Sequence, residues 1–425
     1  MTRDDRTAAT PLDLHCPSNQ LPRCYPRPVT PTTETDPACP EAPPAAPRLD
    51  RRTLTAEYRP FASVHPATWD RLAAANPHAT PFARWAFHRA WWDAYGENAH
   101  EQTIVVLDPA DRAPVAIAPL MHRHEVEPSD ARTRTRLRHA AEPALTPVVP
   151  TAKAVFFGAS YHADYATLLG APADLPGVAD AVVERLCSPP GPEDPHPRPW
   201  DVVDLRRLRC ADPALPALEA AFRRHAGADD WEIVREREDV CPVVTLPVGG
   251  SFDDYLATLG KHARHEVRRK LRRAREAGTV AFVESSDPLA DLDAFIELHQ
   301  RRWGVEGLFP PTEGGRQSRL FFRRLFELFG PDGPARLAVL SIGGRRVAAG
   351  IHYDDGETHY LYNAGIDPAA RALSPGVVMG AEYVALALRL GRRRLDYLRG
   401  AEPYKYEWGA RDEPIERLLV RRRVA

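Results

Sequence analysis

The sequence predicts an α/β (α+β) protein of two similar halves, each a mixed, mostly antiparallel sheet flanked by helices. Three observations carry this expectation. Helix-period and strand-period patterns alternate from about Leu54 onward. The same order of patterns occurs in residues 51–243 and again in 244–425. The first fifty residues differ from both, with eleven prolines and few large apolar side chains. Such a segment buries too little surface to offset its ordering entropy, so 1–50 is expected to be a disordered tail.

In the first half, Trp69–Ala74 reads as a short helix and Pro81–Tyr95 as an aromatic-rich one. Gln102–Leu107 and Pro114–Leu120 read as strands joined by Asp-Pro-Ala-Asp, a turn signal. The stretch 126–150 reads as an inserted loop. Leu175–Cys187 and Leu215–His225 read as helices, with strand material at Trp200–Leu205 and Trp231–Leu246.

In the second half, helices are expected over Tyr255–Ala277, Leu289–Trp303 and Ser318–Phe329. Leu337–Ile342 and Arg346–Tyr353 form a hairpin across Gly343-Gly344. A strand over Thr358–Ile366, a helix over Gly376–Leu390 and a strand over Arg394–Leu398 follow.

Three short matches in one order argue for duplication. Ile104–Leu107 with Val115-Ala116 parallels Leu337–Leu340 with Val347-Ala348. Leu175-Pro176-Gly177-Val178 parallels Ser374-Pro375-Gly376-Val377. Asp201–Arg206 parallels Leu395–Arg399. Two unrelated α/β domains are the alternative.

The charge balance excludes some classes. A net charge of −2 over 425 residues argues against a general nucleic-acid or membrane binder. No apolar run reaches eighteen residues, so no membrane span is expected, and a cytoplasmic location follows. The six cysteines form no C-x-x-C pair and read as reduced, mostly structural thiols. His122-Arg123-His124-Glu125 could suggest a metal, but it lacks a third ligand, so none is expected.

The chemistry concentrates between His359 and Leu390, a strand, a tight loop and a helix of small and apolar residues. The loop Arg371-Ala372-Leu373-Ser374-Pro375-Gly376 has the form R-x-x-S-x-G. A loop entering a helix there turns backbone N–H groups and the positive end of the helix dipole toward one point, which suits a pyrophosphate.

These residues resemble the GNAT acyltransferases, which carry V-x-P-x-x-R-x-x-G-x-G between strand and helix. Ile366-Asp367-Pro368, Arg371, Ser374 and Gly376 keep that spacing, with Ser374 in place of the first glycine. The resemblance implies tandem GNAT-like (acyl-CoA N-acyltransferase) domains and acetyl-CoA, or another acyl-CoA, as donor. It assigns Arg371, Ser374, Gly376 and Val377 to the pyrophosphate, and Gly365 and Ile366 to the thioester end. The first half has Leu175-Pro176-Gly177 in the loop's place, so it is expected to be non-catalytic and to shape the acceptor site.

Three further stretches resemble the CelD-like acetyltransferases of cellulose-biosynthesis operons, relatives of the FemAB peptidoglycan transferases. They are Lys261–Gly278, Leu298–Trp303 and Leu398–Gly409. Tyr404-Lys405-Tyr406-Glu407-Trp408-Gly409 is similar to the FemAB F-K-x-x-F-G motif, which implies that Lys405 stabilises the reacting carbonyl. Glu402 and Tyr404 beside it are candidate general base or acid. Arg302, Trp303, Tyr362 and Arg399 are expected to bind substrate. The expected activity is N-acyl transfer to an amine of a small-molecule, sugar or cell-envelope acceptor. The alternatives are a FemAB-like transferase using aminoacyl-tRNA, and a non-catalytic binding module of the same fold.

Helix Lys261–Gly278 carries Arg264, Arg268, Arg269, Lys270, Arg272, Arg273 and Arg275 around an apolar stripe of Ala263, Val267, Leu271 and Ala274. A solvated helix and a dock for a phosphate-rich ligand both fit. Nucleic acid is not expected outside the tRNA alternative. The Gly-rich segment Gly304–Gly315 is read as a mobile lid.

Overall fold

The computed structural model describes residues 54–123, 145–149, 151–189, 191, 200–225 and 231–422. The tail 1–50, His124, Glu125 and most of 126–150 lie outside them.

The first half runs β1 (Thr55–Tyr58), α1 (Pro66–Ala75), α2 (Trp85–Tyr95), β2 (His100–Glu101), β3 (Ile104–Leu107), β4 (Pro114–Ala118) and β5 (Leu120–Arg123). It continues through β6 (Ala154–Phe157), β7 (Leu169–Gly170), α3 (Leu175–Cys187), β8 (Val202–Arg209), α4 (Ala214–His225) and β9 (Trp231–Thr245). The second half runs α5 (Phe252–Thr258), α6 (Lys261–Glu276), β10 (Val280–Glu284), α7 (Pro288–Trp303), α8 (Glu313–Phe329), β11 (Ala335–Ile342) and β12 (Arg345–Asp354). It ends with β13 (Thr358–Ile366), α9 (Pro375–Arg389), β14 (Arg394–Asp396), α10 (Pro403–Glu407) and β15 (Arg411–Arg422).

The duplicated pattern is present in three dimensions. β3 and β4 form an antiparallel hairpin, as do β11 and β12. In each half a strand, a helix and a parallel strand follow. β6 pairs β8 in parallel across α3, and β13 pairs β14 in parallel across α9. The Gly343-Gly344 turn has φ of 59° and 77°, the left-handed pair a two-residue hairpin needs.

A four-stranded sheet has the order β1-β3-β4-β7. An eleven-stranded sheet has the order β10-β11-β12-β13-β14-β9-β15-β8-β6-β5-β2. The second sheet is continuous through both halves. β9 is the hinge of this arrangement, pairing β14 over Val243–Thr245 and β15 along its length. The expected boundary at 243/244 therefore falls inside one strand.

The aromatic helix and α8 clamp the halves together. The Phe87 and Phe321 rings meet edge-on at 5.3 Å, and Tyr95 Oη lies 2.9 Å from Ser318 Oγ. Phe87, Trp91 and Phe321 are fully buried, each contributing about 1.5–3 kcal/mol.

Several expectations change. Pro81–Tyr95 splits into a 3-10 turn, Pro81–Ala83, and α2. Tyr255–Ala277 splits into α5 and α6 at Leu259-Gly260. The expected lid is partly helical, since Gly314 and Gly315 are buried inside α8, whose N-cap Thr312 side chain accepts from Gly315 N–H. Cys187 and Cys241 are free thiols. No helix among the described residues is long and apolar enough to cross a membrane.

Candidate active site

β13 and β14 diverge. Their parallel pairing covers only Thr358–Tyr360 against Arg394–Asp396. β13 then runs on to Ile366 while the other chain turns away through Leu398, with φ of 57°, and Gly400, with φ of 107°. Six residues of β13, Leu361–Ile366, thus keep an edge without a strand partner on that side, an extended track of about 20 Å.

A cavity of about 790 Å³ fills the opening. Its walls come from β13, the start of α9, the end of α7 and the segment Tyr397–Trp408. Of the residues singled out in the sequence, Ile366, Arg371, Ser374, Gly376, Val377, Tyr362, Arg302, Trp303, Arg399, Glu402, Tyr404 and Lys405 all line it.

At one end stands the loop before α9. Pro368–Leu373 forms a 3-10 turn capped by Asp367, whose side chain accepts from Ala369 N–H. The Arg345 guanidinium bonded to Asp367 holds that carboxyl below its usual range. Ser374 then takes the left-handed conformation, φ 53° and ψ 50°, and starts α9. Arg371 and Gly376 are exposed to the cavity. A Cβ at Gly376 would meet only Ile366 Cδ1, at 3.2 Å, so a ligand has room to approach.

The loop's amides are less available than the motif suggested. Ser374 N–H donates to Arg371 O at 3.0 Å, and Val377 and Val378 N–H donate to Ser374 O at 3.0 and 3.1 Å. Gly376 N–H remains among those a helix start leaves without an intrahelical acceptor. Positive charge compensates. Arg273 of α6 donates from Nη2 to Ser374 Oγ at 2.6 Å, so the basic helix and the loop meet at one point.

Gly365 does not face the cavity. A Cβ there would lie 2.6 Å from Leu298 C, inside the backbone of α7. The missing side chain lets β13 press against that helix.

At the other end, Lys405 is 2% exposed. Its Nζ donates to the carbonyls of Leu398, Arg399 and Gly400 at 3.0, 3.0 and 2.8 Å. Those three bonds engage all three ammonium protons. Glu402 Oε2 is 2.8 Å away as an ion-pair partner, but off the hydrogen-bonding axis. Lys405 thus holds the strained 398–400 turn and offers no proton to a developing oxyanion. This departs from the expected role.

Glu402 and Tyr404 are about half exposed, facing the cavity. Burial of the Tyr404 ring, with Glu402 nearby, pushes its hydroxyl up to about 12. Arg399 is buried between two carboxylates of the first half, Asp164 at 3.2 Å and Glu238 at 3.6 Å. Tyr362 turns its hydroxyl away, donating to His162 O at 3.1 Å and lying 2.9 Å from His162 Nδ1. Arg302 stacks over Trp303 at 4.6 Å and reaches Ala364 O at 3.5 Å.

His299 and Asp164 are among the lining residues that the sequence reading left unassigned. His299 is buried on the wall one helical turn before Trp303. Asp164 comes from the first half, in irregular chain between β6 and β7 with no motif around it.

The family comparison fits this geometry. Residues 261–406, which include α6, the divergent strands, the loop and Lys405, match the family described as acetyltransferase (GNAT) domain. This segment is similar to GNAT-type acetyltransferase domains. The whole fold is similar to that of FemX, with a TM-score of 0.53 at 10% identity, covering 84% of this chain and 96% of FemX. Lower similarity reaches a tandem GNAT protein from the clavulanic acid biosynthesis pathway, with a TM-score of 0.43 and 9% identity over 87% of this chain and 98% of that one. A conserved protein of unknown function from Bacteroides thetaiotaomicron scores 0.48 at 12% identity, over 84% and 98%. Curated proteins give no sequence match.

Proposed function

We propose that the chain is an N-acyltransferase that takes an acyl group from acetyl-CoA, or another acyl-CoA, and delivers it to an amine. The single observation that carries this reading is the cavity's shape. An open strand edge of about 20 Å leads from a cationic helix start to a cluster of Glu402, Tyr404 and Arg399.

The pyrophosphate sits against Gly376 N–H, Arg371 and Arg273, where the helix dipole adds to two guanidinium charges. The pantetheine amides pair with the free edge of Leu361–Ile366. That leaves the thioester near Tyr404. The amine nitrogen attacks the acyl carbon, the C–S bond breaks, and the amine's proton passes to Glu402. Tyr404, still protonated at neutral pH, donates to the departing thiolate. Most of the rate gain comes from holding donor and amine together.

We further propose that residues 244–425 hold the donor and that residues 51–243 shape the acceptor site. Asp164, brought to the cavity beside Arg399, supports this division. The acceptor class is a small molecule, a sugar or a cell-envelope precursor, as in the CelD-like enzymes that the motifs resemble.

A second reading uses aminoacyl-tRNA as donor. Arg272 and Arg275 are exposed on the helix whose Arg273 reaches the loop, which favours a phosphate-rich partner. Calorimetry with acetyl-CoA and with a charged tRNA separates the two. Saturable acetyl-CoA binding, followed by amine-dependent thiol release, supports the first. Heat only with charged tRNA, lost steeply with salt, supports the second and removes the first.

A further inference from the structure

On the far side of β13 from the cavity's loop end, three strands of the sheet place Glu284 of β10, His352 of β12 and His359 of β13 together. Their ligating atoms all lie within 4.8 Å of one another. His352 Nε2 is 2.9 Å from Glu284 Oε1. The two imidazoles stack at 4.5 Å, and both are fully buried.

The hydrogen bonding of this cluster is incomplete. His352 Nδ1 and both ring nitrogens of His359 are buried, and among the described residues none has a hydrogen-bond partner. The hydroxyl of Tyr383, whose ring packs 5.0 Å from His352, is in the same condition. Four unpaired polar atoms in one pocket are far more than native cores tolerate, since each costs about 1–3 kcal/mol when left so. The charged neighbours are mixed. Asp354, held by Arg392, and Arg336 act on the two histidines, while Glu284 supplies the near carboxylate.

We propose that Glu284, His352 and His359 bind one divalent transition-metal cation of the zinc type. Two imidazoles and a carboxylate are a recurring zinc ligand set that leaves a fourth position for water. Imidazole nitrogen selects such ions over magnesium or calcium. Ligands on a tetrahedral ion stand about 3.3 Å apart, so the 4.8 Å spread closes with a small rotation of the His359 ring. Glu284 is about one-third exposed and gives the ion a path from solvent. The site pins β10, β12 and β13 together, its three ligands do not line the cavity, and it stands independently of the acyl-transfer reading.

The test uses full-length protein stripped with a chelator, then titrated with Zn²⁺ by calorimetry and with Co²⁺ by visible absorption. The expected result is one equivalent of Zn²⁺ bound and the intense absorption of four-coordinate Co²⁺. Both should be lost in His359→Ala and in Glu284→Gln. The Zn²⁺ affinity of each variant should fall by more than the roughly hundredfold that loss of a mere supporting partner causes. Glu284→Gln sits at the surface end of the cluster and keeps the fold, which circular dichroism checks. Zn²⁺ should raise the melting temperature of the wild type and leave that of Glu284→Gln unchanged. No bound equivalent in the wild type, or undiminished binding in a folded Glu284→Gln, overturns the proposal.

Discussion

Arg273 Nη2 donates a 2.6 Å hydrogen bond to Ser374 Oγ, joining the basic helix to the start of α9. The contact explains both a serine where the GNAT motif has glycine and one arginine of a helix whose charge otherwise faces water. It brings a guanidinium to the edge of the proposed anion site. Arg273→Ala should weaken acetyl-CoA binding about 10- to 100-fold, as expected for one lost charge-assisted contact. Its unfolding free energy should change by less than about 1 kcal/mol. Calorimetry and urea unfolding measure the two. Unaltered affinity removes Arg273 from the site.

Ser374 carries a left-handed backbone without being glycine. Ser374→Gly should relieve about 1 kcal/mol of that strain and stabilise the fold. It should also release Arg273, so affinity falls as stability rises. Thermal melts read beside donor titrations check that opposition.

Two glycines of one segment should respond in opposite ways. At Gly365 a methyl group would run into the α7 backbone, and at Gly376 it would meet only the tip of Ile366. Gly365→Ala should lower stability by about 3 kcal/mol or more, because the colliding atoms are main chain. Gly376→Val should fold normally and lose donor affinity. Equal stability losses in both variants would contradict this placement.

Lys405 is a cage for the 398–400 turn, and its replacement should show that. Lys405→Met leaves three carbonyls and Glu402 without their partner, at a cost of about 3–5 kcal/mol. Activity should fall together with stability. A fully stable Lys405→Met with slow turnover and normal donor affinity would instead restore the oxyanion role.

Asp396 links pH to stability. It is fully buried at the end of β14 and accepts from Tyr165 Oη and from Leu398 N–H, both at 2.7 Å. Burial, only partly offset by Arg209, pushes its carboxyl up to about 6 from 3.8. The folded state therefore keeps a proton that the unfolded chain has already lost. Stability contributed by this group falls as pH rises from about 4 through about 6, by about 3 kcal/mol in full. Asp396→Asn does not titrate, so the stability difference between variant and wild type should grow in the variant's favour across that window. A difference that stays flat from pH 4 to 7 would contradict the assignment.

The second half was legible where local chemistry decides structure. Gly343-Gly344 demands a hairpin, and Thr358–Ile366 alternates enough to give the observed strand limits. β15 was not legible. No strand was expected after Arg394–Leu398, and Pro414 with its charged neighbours gives no alternating apolar pattern, yet the strand lies between β8 and β9. Its Arg417 is buried in a paired contact with Asp204, at 2.6 and 2.9 Å, a partner more than two hundred residues away. The site divides in the same way. Residues on the strand–loop–helix unit were readable because spacing fixes their faces. Asp164 and the Glu284–His352–His359 cluster depend on sheet order, which no single segment encodes.

The most direct measurement is calorimetric titration of acetyl-CoA into the wild-type protein and into Gly376→Val, whose branched side chain blocks the approach to the helix start. The expected result is saturable one-to-one binding in the first and little or none in a folded second. An identical isotherm in both proteins would place the diphosphate elsewhere and contradict the donor site described above.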